Sequence, residues 1–130
     1  MKTIPKQFKY TKNHEWVTKC GNTFIIGITD HAQKKLGDIV FLELPKQGSK
    51  IKENHPFGII ESIKAVSDLI APISGEILLI NEKLISNPEI VNLYPYEKGW
   101  ILKITQDHIN RFNKLMNSEE YLNFLQEIEK

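Results

Sequence analysis

Cysteine is nearly absent from this chain, because Cys20 is the only one among 130 residues. A single thiol cannot close a disulfide within the chain, which excludes a disulfide-stapled secreted scaffold. Any dithiol chemistry must therefore come from an attached group. Cys20 has only Lys19 as a basic neighbour and no nearby histidine, so a catalytic thiol is not expected.

Arginine is equally scarce, because Arg111 is the only one and lysine supplies the rest of the 17 positive charges. Against 16 acidic residues this leaves a formal net charge of +1. Base readout favours arginine, and non-specific binding to phosphates needs a surplus of positive charge. We therefore expect neither nucleic acid nor an acidic membrane as a partner.

Long apolar runs are also missing. The longest ones, such as residues 77–80, fall far short of the roughly 20 residues in a membrane-spanning helix. Residues 1–6 have neither an apolar signal core nor an Arg- and Ser-rich presequence. The cytoplasm, most readily a bacterial one, is the expected location, with the mitochondrial matrix as the alternative if a presequence has been removed.

The histidines show no metal-binding spacing, so no metal site is expected. They are His14, His31, His55 and His108. His14 and Glu15 are interpreted as neighbours on one strand, with side chains on opposite faces. Glycine-rich phosphate-binding loops are absent as well.

Short β-branched and apolar runs between turn residues fill the first two-thirds of the chain, which predicts a mainly β fold. The predicted strands are residues 15–19, 23–28, 39–44, 56–61, 66–70, 76–81 and 100–104. One short helix is predicted over residues 31–36, capped by Thr29 or Asp30 and ended by Gly37. The balance of 41% hydrophobic and 25% charged residues is that of an ordinary globular domain.

The tail changes to a helical period. Asp107 and Ser118 are the predicted caps of two helical pieces. Four apolar residues then recur at spacings of three and four, and we expect this face to pack on the core. They are Tyr121, Leu122, Leu125 and Ile128.

One lysine stands in an unusual setting. Lys64 lies near the turn between two predicted strands, with Glu61 three residues before it and Ala65 directly after it. A tight turn holds such a side chain outward, with its amine free for an enzyme to reach. A single lysine is ordinarily a solvated surface charge, so the case for Lys64 depends on the segments around it.

Those segments resemble the glycine cleavage H-protein family. The run 61–65, followed by Ser67 and Asp68 and then by residues 71–77, is similar to the family's lipoylation signature. Segment 10–17 resembles the family's opening strand, residues 27–33 with 36–38 resemble its helix, and segments 92–96 and 99–104 resemble its closing segment. The likeness therefore spans roughly residues 8–127. Biotin carriers place Met on both sides of their lysine, whereas lipoyl domains of 2-oxoacid dehydrogenase complexes usually show Asp before it.

The resemblance implies one lipoyl-carrier domain over residues 1–130, with a core at about 8–105 and a helical tail at 106–130. Its fold would be a barrel-sandwich hybrid of the lipoyl/biotinyl-carrier kind. Lys64 would carry lipoate as N6-lipoyllysine, and the chain would have no catalytic residue of its own. Lipoate ligase or a lipoyl/octanoyl transferase would attach the group.

The function implied is that of a shuttle. A pyridoxal-phosphate glycine decarboxylase (P-protein) would load an aminomethyl group, and a tetrahydrofolate-dependent aminomethyltransferase (T-protein) would remove it. Dihydrolipoamide dehydrogenase (L-protein) would reoxidise the dithiol. The alternative is an H-like lipoate relay that passes lipoate to 2-oxoacid dehydrogenase complexes. The presence of Glu15 and Asp68 favours the aminomethyl shuttle of glycine cleavage over the lipoate relay.

The resemblance also assigns roles beside Lys64. Glu15 and Asp68 would lie in a cleft that receives the loaded arm, although both could equally be ordinary exposed acids near strand ends. Glu61 and Ala65 would be recognised by the lipoylating enzyme. Lys35 stands where the family often has His, which puts the role of that His in doubt and could leave the cleft less selective.

Overall fold

The computed structural model describes residues 4–129. This part of the chain contains nine strands and five helices. They are β1 (Lys9–Tyr10), β2 (Glu15–Cys20), β3 (Thr23–Ile28), α1 (Asp30–Leu36), β4 (Ile39–Glu43), β5 (Lys50–Ile51), β6 (Pro56–Ser62), β7 (Val66–Ile70), β8 (Gly75–Ile80), α2 (Lys83–Ser86), α3 (Ile90–Leu93), β9 (Leu102–Thr105), α4 (Ile109–Lys114) and α5 (Ser118–Ile128). The longer strands match the predicted ones to within about two residues, whereas the two-residue strands and the one-turn helices were not predicted.

Two antiparallel sheets enclose the core. One has six strands in the order β1-β2-β3-β9-β8-β5, and the other has three in the order β4-β6-β7. Side chains such as Phe24, Leu42 and Ile60 are buried between them. Within the described residues the sheets do not join into a closed barrel. This mainly β architecture with a short helix and a helical C-terminus confirms the predicted fold class.

Helix α1 ends at the predicted residue, Leu36, and begins one residue earlier than predicted, at Asp30. The hydroxyl of Thr29, and not Asp30, is the cap and accepts a hydrogen bond from the amide of Ala32 at 3.2 Å. Asp30 instead forms an ion pair with Lys34 at 3.0 Å. Gly37 follows the helix with φ of 84°, a conformation that residues with a Cβ rarely adopt.

Both predicted caps in the tail are wrong. The carboxylate of Asp107 accepts a hydrogen bond from Thr105, and α4 begins only at Ile109. Ser118 is already helical, because Asn117 caps α5 and forms a capping box with Glu120, with both bonds at 2.9 Å. Asn and Ser are both good caps, so neighbouring candidates compete, and the local backbone decides between them.

The packed face of α5 is narrower than predicted. Tyr121 is fully buried and stacks on Tyr10 with 4.8 Å between ring centroids. Leu125 packs against the same cluster, but Leu122 and Ile128 remain 44% and 45% exposed. The helix lies along the edge of the six-stranded sheet, so it contacts the core only through one stripe. No helix among residues 4–129 is long and apolar enough to cross a membrane.

Candidate functional site

Lys64 lies at the tip of the β6–β7 hairpin, where the backbone turns over residues 63–65. The amide of Ser62 donates to the carbonyl of Ala65 at 2.8 Å. The Ser62 hydroxyl accepts hydrogen bonds from the amides of Lys64 at 3.3 Å and Ala65 at 3.1 Å. Ser62 therefore satisfies the polar backbone groups of the tip. The sequence could have predicted this role from the position of Ser62 directly before the turn, because Ser side chains commonly close such turns.

A second contact fixes the tip against the segment after α1. The amide of Ile63 donates to the carbonyl of Asp38 at 3.0 Å. The stem of Lys64 lies over Gly37, where an added Cβ would stand 3.3 Å from the Lys64 Cε. The lysine stem thus rests on a residue that has no side chain.

The surroundings of Lys64 fit a group joined through an amide. Its side chain is exposed, as is that of Ala65, and the flanking Ile63 and Val66 are 71% and 69% exposed. A primary amine in this position is open to acylation.

Glu61 lies in a cross-strand row beside the tip. It pairs with Phe41 on β4 and with Val66 on β7, so the three side chains share one face of the sheet. Phe41 is 46% exposed and Val66 is more so. An enzyme that covers Lys64 would meet this row together with Ala65.

A cleft of about 180 Å³ lies between α1, the start of β2 and β7. Glu15 and Asp68 both line it, as do Lys35 and Leu36 of α1 and His14. The structure therefore brings together Glu15, Asp68 and Lys35 in one cleft. Glu61 and Ala65 do not line this cleft.

Glu15 differs sharply from an ordinary surface acid. It is only 3% exposed, and its carboxylate accepts a hydrogen bond from the Thr11 hydroxyl at 2.6 Å. Burial raises the pKa of Glu15 to about 7, although the bonds from Thr11 and from the backbone amide of Ile70 act in the opposite direction. Asp68, by contrast, is exposed.

His14 is not on a strand, contrary to the prediction. It occupies the turn before β2 with φ of 65°, and its ring nitrogen Nδ1 lies 2.9 Å from the Tyr121 hydroxyl. Burial, followed by the charges of His31 and Lys35, lowers the pKa of His14 to about 4. A neutral imidazole therefore lines the cleft beside Glu15. The sequence carries no local signal for this conformation.

A lysine on an exposed hairpin tip, next to a cleft with a buried carboxyl group, defines a carrier domain on a two-sheet scaffold. Among the described residues no group of three or more His, Cys, Asp or Glu side chains is placed to hold a metal. A sequence model described as glycine cleavage H-protein matches residues 8–128. The chain belongs to this family.

Individual relatives agree with the family match. The glycine cleavage system H protein of Halothermothrix orenii is 48% identical over 126 residues, covering 97% of this chain and 98% of the relative. That of Geobacillus thermodenitrificans is 51% identical over 117 residues, covering 90% and 92%. The crystal structure of the Mycobacterium marinum H protein superposes with a TM-score of 0.86 at 32% identity, covering 95% of this chain and 99% of that one.

The function follows from the family. The chain is a lipoyl carrier that shuttles the aminomethyl group between the enzymes of glycine cleavage. It is not itself an enzyme.

Proposed function

We propose that Lys64 is the residue that carries lipoate, as N6-lipoyllysine. The observation that carries this proposal is the exposed Lys64 amine on a tip whose backbone is held by Ser62. When attached, lipoate supplies a dithiolane that accepts electrons or a carbon fragment through thiol–disulfide chemistry. The protein supplies the anchor point and the neighbouring cleft.

Intact-mass spectrometry tests this assignment. Protein treated with lipoate ligase, ATP and lipoate should gain the mass of one lipoyl group. Lys64→Arg should gain none, because Arg keeps the charge but offers no amine for acylation. Lys35→Arg is the matched control, since Lys35 is also exposed, and it should be modified like the wild type. An adduct on Lys64→Arg would contradict the proposal.

We further propose that Glu15 and Asp68 hold the amine of the aminomethyl group in the cleft. That amine is cationic near neutral pH, and a carboxylate binds it through a charge-assisted hydrogen bond. With water, an aminomethyl thioether breaks down to the free thiol, formaldehyde and ammonia when the nitrogen lone pair assists cleavage of the carbon–sulfur bond. A protonated nitrogen has no free lone pair, so this breakdown is slowed. Exposed Asp68 can contribute only about 0.2–1 kcal/mol, whereas buried Glu15 can contribute more.

The double variant Glu15→Gln, Asp68→Asn tests the role of the acids, because it keeps their shape and removes their charge. Formaldehyde should leave the loaded protein faster in the absence of tetrahydrofolate, while lipoylation and reoxidation of the dithiol continue normally. Glu76→Gln serves as the control, since it removes an exposed acid outside the cleft. Equal rates of formaldehyde release in the wild type and the double variant would show that the two acids have only a structural role.

Lys35 places a positive charge in the same cleft. Because like charges repel, this ammonium weakens the hold on a cationic amine and makes the cleft less selective. Lys35→Gln should therefore retain the loaded arm longer than the wild type, measured by the same formaldehyde assay. A faster release would show that Lys35 assists binding.

The partners proposed are the P-, T- and L-proteins of glycine cleavage and the lipoylating enzyme, which reads Glu61 and Ala65 beside Lys64. The whole of residues 1–130 acts as one carrier domain. The bacterial relatives support the cytoplasm as its location.

The buried Glu15 favours aminomethyl transfer over a lipoate relay, because passing on lipoate itself needs no acid in the cleft. Glycine-dependent carbon dioxide exchange with purified P-protein separates the two, and a relay would support none.

A further inference from the structure

The C-terminal tail contacts the turn that leads into Glu15. The backbones of Tyr10 and Met116 exchange two hydrogen bonds, at 2.8 and 3.0 Å. Within α5, Tyr121 stacks on Tyr10, and the ring of Phe124 lies 5.9 Å from that of His14. The tail therefore packs on both ends of the segment 10–14.

The hydroxyl of Tyr121 joins three segments of the chain. It lies 2.9 Å from Nδ1 of His14 and 2.8 Å from the hydroxyl of Thr29, which caps α1. The amide of Thr29 in turn donates to the carbonyl of His14 at 3.0 Å. Every proton is used if Thr29 donates to Tyr121 and Tyr121 donates to Nδ1, which leaves His14 protonated on Nε2.

The turn held in this way is strained and carries the site. His14 has φ of 65° and is not glycine, a conformation that persists only where the surroundings enforce it. The turn is closed by the bonds from the Thr11 amide to the Glu15 carbonyl at 3.0 Å and from the His14 amide to the Thr11 carbonyl at 3.1 Å. Thr11 also donates its hydroxyl to the Glu15 carboxylate. The shape of the turn thus places the carboxyl group.

We infer that Tyr121 is a positioning residue of the cleft: it holds His14 in its left-handed conformation and thereby keeps the Glu15 carboxyl group buried where the arm is received. The inference rests on the proposed role of Glu15, and it makes the helical tail a working part of the carrier. Without the Tyr121 hydroxyl, the turn relaxes and water reaches Glu15.

A matched pair of variants isolates this hydroxyl. Tyr121→Phe removes it and keeps the stacked ring. Tyr10→Phe removes the hydroxyl of the other ring in the same buried stack, where it donates to the carbonyl of Pro5 and touches neither His14 nor Thr29. General loosening of the aromatic cluster should affect both variants, whereas loss of positioning should appear only in Tyr121→Phe.

The first measurement is the titration of the Glu15 side-chain carboxyl carbon by nuclear magnetic resonance in the unlipoylated protein. Three charged or titratable groups, His14, Lys35 and Asp68, line the same cleft as Glu15 and are retained in both variants. The fourth is Tyr121 itself, and because burial raises its pKa it stays neutral throughout the titration, so Phe removes no charge. In Tyr121→Phe the midpoint should fall by about one pH unit, because a hydrated carboxyl group returns toward its ordinary pKa. Tyr10→Phe should titrate like the wild type. An unchanged midpoint in Tyr121→Phe, or equal shifts in both variants, would overturn the inference.

The second measurement is formaldehyde release from loaded protein without tetrahydrofolate. Tyr121→Phe should release it about threefold faster, the scale of one weakened charge contact. Tyr10→Phe should match the wild type, and all three proteins should take up lipoate to the same extent. Equal release rates would overturn the inference. Absence of a lipoyl group on Lys64 in every protein would instead contradict the proposed function, while the titration remains an independent test of Tyr121.

Discussion

Replacing Glu15 with Gln should make the empty carrier more stable at alkaline pH. Burial raises the pKa of Glu15 from its ordinary value of 4.5 to about 7. Between these pH values the folded protein retains a proton that the unfolded chain has lost, so the free energy of unfolding falls as pH rises. The contribution is present in full below pH 4.5 and is lost above about pH 7.

The size of this effect follows from the same two values. The interval from 4.5 to about 7, at roughly 1.4 kcal/mol for each pH unit, amounts to about 3 kcal/mol. Glu15 is 3% exposed, so screening by solvent takes little from that figure. Gln cannot ionise, and its amide oxygen can still accept the hydrogen bond from Thr11.

Urea unfolding of both proteins at pH 4 and pH 8 measures the difference. The free energy of unfolding of Glu15→Gln, relative to the wild type, should rise by about 3 kcal/mol between these pH values. His14 has a lowered pKa and so destabilises the fold as pH falls below about 6.5, but it does so in both proteins and cancels from the difference. A difference independent of pH would refute the reasoning, because Glu15 would then ionise at its ordinary pKa.

Three smaller changes test other parts of the molecule. Ala65→Trp should slow lipoylation and leave the melting temperature unchanged, because it crowds an exposed position; Ala65→Ser is the control, and normal rates in both would make this residue a bystander. Gly27→Ala should lower the free energy of unfolding by about 1–3 kcal/mol, because its Cβ would overlap the Trp16 ring; unchanged stability in urea would show that the ring can move. Asn117→Ala should cost about 1 kcal/mol in the same assay through loss of the α5 cap, whereas Asn117→Asp should cost much less; equal losses would rule out capping.

The parts of the site that local sequence encodes could be predicted. Short β-branched and apolar runs predict the strands on either side of Lys64, and the residues between these runs predict the hairpin turn. The cap Thr29 and the glycine after α1 follow from residue chemistry alone. These features depend on neighbours within a few positions, which is the range over which pattern reasoning works.

The state of the cleft could not be predicted in this way, because it depends on distant contacts. Glu15 is buried where β2 meets the end of β7, and it accepts a hydrogen bond from the amide of Ile70. The sequence prediction places His14 on the same strand as Glu15, yet the Tyr121 hydroxyl, 107 positions away, contacts its ring and holds the turn. Only the assembled fold distinguishes this buried carboxyl group from an exposed one.

The hydrogen bonds that the Ser62 hydroxyl accepts fix the backbone at Lys64, the proposed anchor of the lipoyl arm, and this determines how strongly the cleft needs to bind. An arm tethered to a fixed point samples a small volume, so its effective concentration at a site within reach is on the order of millimolar. A dissociation constant of the same order then keeps about half of the arms in the cleft. Tighter capture would hold the cargo longer but delay its transfer to the next enzyme. The proposed cleft combines the buried acid Glu15 and the exposed acid Asp68 with the opposing charge of Lys35. This combination suits a moderate affinity, which protects the cargo and still releases it.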